Sequence, residues 1–129
     1  ADGFSPLGLA CFFRQAEAAR LLLEAGADVR AAARNPMRVT ALHAAAAARD
    51  TPLVRLLLER GADVDARQQA SYTALHAAAQ HGDTEMAELL LAHGADPSLR
   101  SEDGKDAAAH ARAAGHEALA ERLAIGNRH

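Results

Sequence analysis

Residues 73–96 read Thr-Ala-Leu-His-Ala-Ala-Ala-Gln-His-Gly-Asp-Thr-Glu-Met-Ala-Glu-Leu-Leu-Leu-Ala-His-Gly-Ala-Asp. Two short helical patterns lie here, divided at Gly82-Asp83 and closed by Gly94, and neither is long enough to hold alone in water. The text recurs. Thr40-Ala-Leu-His43 stands 33 residues before Thr73-Ala-Leu-His76, Ser5-Pro-Leu stands 35 before Thr40, and Asp106 stands 33 after Thr73. Gly26-Ala-Asp28, Gly61-Ala-Asp63 and Gly94-Ala-Asp96 keep the same steps of 35 and 33. A period near 33 that carries two helices and a turn implies a stacked array, each helix pair burying its apolar side against its neighbours.

The same residues carry a family resemblance. Thr-Ala-Leu-His-Ala-Ala followed by Leu-Leu-Leu-x-x-Gly-Ala-Asp resembles the ankyrin repeat, whose usual text is T-P-L-H-x-A and then L-L-L-x-x-G-A-D. The resemblance spans almost the whole chain. It implies an all-α repeat fold, an ankyrin solenoid of helix-turn-helix units joined by β-hairpin loops, in one domain over residues 1–129. The units are expected at about 1–33, 34–68, 69–101 and 102–129, the last a degenerate cap. For function it implies a scaffold that binds another protein, without catalysis and without a cofactor.

Composition narrows the classes further. A formal net charge of -3 and a pI near 6.2 supply no broad basic field, which disfavours nucleic acid and anionic lipid as partners. No apolar run approaches the roughly 18 residues that a membrane span needs. The lone Cys11 excludes an internal disulfide and fits a reducing compartment. It occupies the slot of Ala46 and Ala79, so a small buried residue is expected there rather than a reactive thiol. Cytoplasmic placement is the default expectation. The N-terminus has no basic-then-apolar segment, but the chain also begins without Met, which fits a removed leader or a trimmed end equally well. The high Ala, Arg and Leu content resembles that of GC-rich bacteria.

Along the chain, Ser5, Thr40, Thr73 and Asp106 occupy one slot and are expected to cap each first helix, with Pro6 at the first helical position of its own. Ala18 to Leu23 is expected as the second helix of the first unit, stopped by Gly26. In the second unit a helix is expected from Thr40 to Ala48, then Thr51 as cap and Pro52 as first residue of a helix to Arg60. The loop from Gly26 to Thr40 carries two more residues than the loop from Gly61 to Thr73, which predicts an enlarged finger near 32–38 with a turn at Pro36. The Leu triplets at 21–23, 56–58 and 89–91 are expected to supply most of the burial. In the last unit Arg112 stands where Cys11, Ala46 and Ala79 stand, and Arg122 where Leu21, Leu56 and Leu89 stand. Leu119 and Leu123 stay apolar, as in a cap with one side still packed inward. Ala1-Asp2-Gly3-Phe4 matches only the second half of the hairpin that precedes a helix pair, so an earlier repeat is expected ahead of it.

Candidate chemistry is thin. In the family, the histidine at the place of His43 and His76 bonds to the Thr of its own motif and to backbone of the adjoining hairpin, and Thr40 and Thr73 are present. His81, His93, His110, His116 and His129 are scattered, and His116-Glu117-Ala118-Leu119-Ala120 lacks the second His of a zinc-binding H-E-x-x-H. No G-x-x-x-x-G-K appears, and one Cys gives no placed partner for nucleophilic catalysis. A metal site is therefore not expected.

The resemblance places a partner on the concave side, against the hairpin tips and the exposed ends of the first helices. All three Phe and the only Tyr fall in those slots, although aromatics make up just 3% of the chain. Aromatic and Arg side chains are the usual anchors of interfaces. The expected partner-binding residues are Phe4, Phe12, Phe13, Arg34, Met37, Arg38, Tyr72, Gln80 and His81. Two readings remain for Phe12 and Phe13: contact with a partner, or packing against a further N-terminal repeat. Two readings also remain for the whole: a monomeric module that grips a protein partner, or an accessory domain of a larger chain that docks on its own neighbouring domain.

Overall fold

The fold, seen in a computed structural model, is described for residues 7, 10, 11, 15–27, 29 and 40–126. Among these residues it is all-α, with seven helices: α1 (Ala16–Glu24), α2 (Ala41–Ala47), α3 (Thr51–Glu59), α4 (Ala74–His81), α5 (Thr84–Ala92), α6 (Ala107–Ala113) and α7 (Glu117–Gly126). Leu7, Ala10 and Cys11 are helical as well. The enlarged finger expected at 32–38 lies outside the described residues, as do Phe4, Phe12, Phe13, Arg34, Met37 and Arg38.

Each helix is only seven to ten residues long, so its stability has to come from neighbours. Within a layer α2 packs on α3, α4 on α5 and α6 on α7; along the stack α2 packs on α4, α4 on α6, and α3 on α5. The contact sides of α2 and α4 are nearly all Ala with one Leu each, Leu42 and Leu75, and these are buried. Small side chains let helix axes approach at the short end of the roughly 8–10 Å range. Leu53, Val54, Leu57, Met86, Leu90, Leu119 and Leu123 fill the seam between first and second helices and are buried. The Leu triplets are not equally covered. Leu21 is 56% exposed and Leu22 only half-buried, whereas Leu57 and Leu90 are completely enclosed.

Side-chain caps fix where α2 to α6 start, whereas Gln15 ahead of α1 makes no such bond. Thr40 and Thr73 accept from the backbone N–H of His43 and His76, and those histidines return a bond to the cap N–H, closing a capping box on α2 and α4. Asp106 accepts from Ala109 N–H at 2.9 Å on α6. On α3 the cap is Asp50, which accepts from Leu53 N–H at 3.2 Å, and not Thr51. The helix begins one residue earlier than Thr-Pro suggests, because Pro52 is as well tolerated at the second helical position as at the first and Asp is the stronger cap. Asp83 does the same for α5 through Met86 N–H at 3.1 Å.

Helix ends follow one plan as well. Gly26, Gly61 and Gly94 take left-handed backbone, and the residue after each donates to the carbonyl five residues back: Ala27 to Leu22 at 2.9 Å, Ala62 to Leu57 at 3.0 Å and Ala95 to Leu90 at 3.0 Å. The first helices end alike at Gly82 and Gly115, but the matching position after α2 is Arg49, at φ 59°. At Gly82 a second constraint applies, since a Cβ there would fall 2.6 Å from the His116 ring.

The hairpins are slight. Gln68 and Tyr72 form one antiparallel bridge around a 3-10 turn at Gln69–Ser71, and Glu102 N–H donates to the Ala70 carbonyl at 2.8 Å, joining one tip to the next. Ala70 and Ser71 hold φ of 65° and 57°. In the last layer Arg112 and Arg122 are exposed while Leu119 and Leu123 are buried, so the charged substitutions sit on water and the apolar ones on the stack. Arg122 reaches back to Glu88 at 2.7 Å.

Candidate functional site

His43 and His76 lock the helices to the loops. His76 Nδ1 accepts from Thr73 N–H at 3.0 Å, so the ring proton is assigned to Nε2, which donates to the Leu99 carbonyl at 2.9 Å. His43 repeats this with Thr40 N–H at 3.1 Å and the Ala66 carbonyl at 2.7 Å. Burial, partly offset by the carbonyl bond in each case, lowers the pKa of both rings below the usual histidine value. Both nitrogens are therefore committed, and neither ring is free to act as a base or a metal ligand.

Beside His76 lies a small aromatic cluster. Tyr72 and His76 have ring centroids 5.3 Å apart, Tyr72 and His110 5.3 Å, and His76 and His110 4.9 Å. His110 stands one residue later in its helix than His43 and His76 do in theirs, in the slot of Ala44 and Ala77, so its ring reaches back over the preceding layer. Its Nε2 lies 2.9 Å from Ser101 Oγ, and that hydroxyl donates to Asp103. Burial lowers the His110 pKa, with Lys105 adding to the effect and Asp103 and Asp106 opposing it. The Tyr72 hydroxyl donates to Gln80 Oε1; burial, and secondly the Asp103 charge, push its pKa up to about 12. Tyr72 thus stays a neutral phenol, a hydrogen-bonding anchor rather than an acid.

Two hollows open on this side of the array and share Tyr72 and Gln80. The larger, of about 500 Å³, is lined by Ala70, Tyr72, Gln80, Ser101, Glu102, Asp103 and His110, and the exposed Glu102 and Asp103 give its rim a negative charge. The smaller, of about 140 Å³, is lined by His43, Ala47, Gln68, Tyr72, Thr73, Ala74, Ala77, Gln80 and His81. His81 Nδ1 is buried there without a hydrogen-bond partner. A tip, a helix end and the interval between two layers together make a concave seat with donors, acceptors and one aromatic ring.

A family model for ankyrin repeats matches residues 1–68 and 42–128, in three copies. The chain is an ankyrin-repeat protein. No curated protein sequence matches it. Ankyrin repeats generally mediate contacts between proteins, and the family is typically non-catalytic.

Of the residues that the sequence nominates, this ankyrin array brings Tyr72, Gln80 and His81 together around the smaller hollow. Phe4, Phe12, Phe13, Arg34, Met37 and Arg38 lie outside the described residues. The array adds His110, Ser101 and Asp103 to the seat. The one legible signal for His110 was its offset of four from Asp106, where the other layers place their histidine three after the cap. Elsewhere the ankyrin fold offers little chemistry. Among the described residues no three His, Cys, Asp or Glu side chains converge to hold a metal, and no helix is long and apolar enough to cross a membrane. Cys11 is fully buried, and burial, with Asp50 adding to it, pushes its thiol pKa up to about 12, far from a reactive thiolate.

Proposed function

We propose that this ankyrin array is a non-catalytic scaffold that binds a protein partner along its concave side, with Tyr72, Gln80 and His81 at the centre of the contact. The observation that carries this reading is the hollow of about 500 Å³ between two hairpin tips, walled by the half-buried Tyr72 ring and rimmed by Glu102 and Asp103. Gln80 spends its Oε1 on Tyr72, which leaves its amide N–H groups to donate to a partner carbonyl. The two carboxylates favour a partner with Lys or Arg at that point, since complementary charge sets orientation and encounter rate. Phe4, Phe12, Phe13, Arg34, Met37 and Arg38 belong to the same proposal on the strength of the sequence alone. A monomer in a reducing, cytoplasmic setting is the simplest state consistent with one Cys and a net charge of -3.

The test is capture of partners from native cell extract on the immobilised chain, identification by mass spectrometry, and measurement of affinity for the purified partner. Gln80→Ala and Glu102→Lys, both at exposed positions, are the informative variants. Each is expected to weaken binding at least about tenfold, with the melting temperature held to within roughly 2 °C. Tyr72→Ala is less clean, because Tyr72 packs on His76 and His110 and its loss also strains the fold. Unchanged affinity in both surface variants would place the partner on another side.

A further inference from the structure

The rim of the larger hollow is braced by its own backbone. Ser101 N–H donates to the Lys105 carbonyl at 3.0 Å and Gly104 N–H to the Ser101 carbonyl at 2.9 Å, which closes a tight turn over residues 101–105. Glu102 N–H donates to the Ala70 carbonyl at 2.8 Å, so the turn is also tied to the tip of the preceding layer. Glu102 and Asp103 therefore stand on a fixed support rather than on a loose loop.

The two carboxylates are engaged to different degrees. Asp103 accepts from the Ser101 hydroxyl and, at 3.4 Å, from Lys105 N–H, both on Oδ1, which leaves Oδ2 outside these bonds. The Ser101 bond is the main cause that holds the Asp103 pKa below the usual carboxylate value, so the group stays charged. Glu102 is exposed, and among the described residues it enters no ion pair. Residues 101–106 carry three acids against the single Lys105, which leaves the tip negative. Behind the rim stands the Tyr72 ring. Its histidine neighbours are inclined to it at 58° and 78°, so neither forms a parallel stack that would shut a flat group out. His110, with its pKa lowered by burial, adds no positive charge to the hollow at neutral pH.

We infer that the larger hollow is a seat for one arginine side chain of the partner, its guanidinium laid along Tyr72 and bonded to Asp103 and Glu102. The inference rests on the scaffold reading and narrows it from a basic contact to one residue type. A planar fork with five N–H donors reaches two carboxylates while its flat side covers a ring, whereas the ammonium of lysine is a compact, strongly hydrated charge. At about 500 Å³ the hollow falls within the roughly 300–1,000 Å³ of small-molecule sites, ample for a guanidinium and its aliphatic stem. Gln80 shares the lining, and its amide N–H groups are placed to take a backbone carbonyl beside that arginine.

The experiment titrates the isotope-labelled 129-residue chain with blocked pentapeptides, Ala-Ala-X-Ala-Ala, in which X is arginine, lysine or citrulline, and follows the amide signals by NMR. The arginine peptide is expected to shift the amides of Tyr72, Gln80, Glu102, Asp103 and Gly104 saturably, with half-saturation on the order of 1 mM. The lysine peptide should bind at least about fivefold more weakly, and the uncharged citrulline peptide should not saturate below about 20 mM. Asp103→Asn, which keeps the Oδ1 acceptor, and Glu102→Gln should each weaken the arginine peptide at least about threefold, with the melting temperature held to within roughly 2 °C. Equal affinity for arginine and lysine would overturn the inference, the rim then being a diffuse negative patch. So would an arginine peptide that fails to saturate below about 20 mM, or that shifts only amides of other layers. The scaffold reading is judged apart from this, by Gln80→Ala and Glu102→Lys against the captured partner. If those variants weaken capture while no peptide binds, the arginine seat falls and the scaffold reading stands; if the arginine peptide binds and capture ignores both variants, the reverse holds.

Discussion

Replacing His76 by alanine isolates the device that ties each layer to its loop. His76 is 1% exposed, and both ring nitrogens are bonded, to Thr73 N–H and to the Leu99 carbonyl. Truncation strands the Thr73 N–H in a residue that is itself buried, at about 1–3 kcal/mol. The carbonyl of the half-buried Leu99 can turn to water, so that bond contributes only about 1 kcal/mol. Loss of ring contact with Tyr72 and His110 adds about 0.5–1.5 kcal/mol. The sum is about 2.5–5.5 kcal/mol, a large share of the roughly 5–15 kcal/mol that a domain commands. Urea unfolding followed by far-ultraviolet circular dichroism reads it directly, the chain having no Trp. His43→Ala, which removes the same pair of bonds outside the aromatic cluster, should cost about 1 kcal/mol less. A loss under about 1 kcal/mol for His76→Ala would refute the assignment of this ring as a structural tie.

Three further outcomes follow from the same packing. His43, His76 and His110 all have folded pKa values below the ordinary histidine value, chiefly through burial, so the unfolded chain binds more protons; stability should hold above about pH 6.5 and fall as pH drops through the lowered values. Urea midpoints at pH 7.5 and 5.5 test this, and the difference should shrink in His76→Ala. Leu90→Ala, at a side chain with no exposure, should cost about 2–5 kcal/mol by the same urea measurement, with Leu57→Ala alike. Arg49→Gly should stabilise by about 1 kcal/mol, because Arg49 holds φ 59° where Gly82 and Gly115 do the same service without a Cβ; an unchanged or lower midpoint would count against that strain.

What the sequence disclosed was set by local chemistry. Thr40, Thr73 and Asp106 announce helix starts because a capping side chain acts within three residues, and Gly26, Gly61 and Gly94 announce ends because left-handed backbone favours glycine. Thr51-Pro52 misplaced the start of α3 by one residue because Asp50 caps more strongly and Pro fits either of the first two positions. The exposure of Leu21 was not legible, since its text matches that of Leu56 and Leu89 and only the place in the stack differs. Nor was the seat around Tyr72 readable in full. Tyr72 and Gln80 stood in the right slots, but the share of His110 depends on a one-residue offset that carries its ring across a layer boundary, a tertiary effect that no window of a few residues contains.

His43 reaches Ala66 and His76 reaches Leu99, each a span of 23 residues, and along the stack α2 packs on α4, α3 on α5 and α4 on α6, each on its neighbouring layer. Force applied at the two ends would accordingly not meet one barrier shared by the entire chain. It would peel the array as a file of units, each releasing roughly 11 nm of slack from about 33 residues at about 3.5 Å apiece. Such a chain behaves as an extensible spring, able to lose an outer coil under load and rewind it while the inner coils hold their grip.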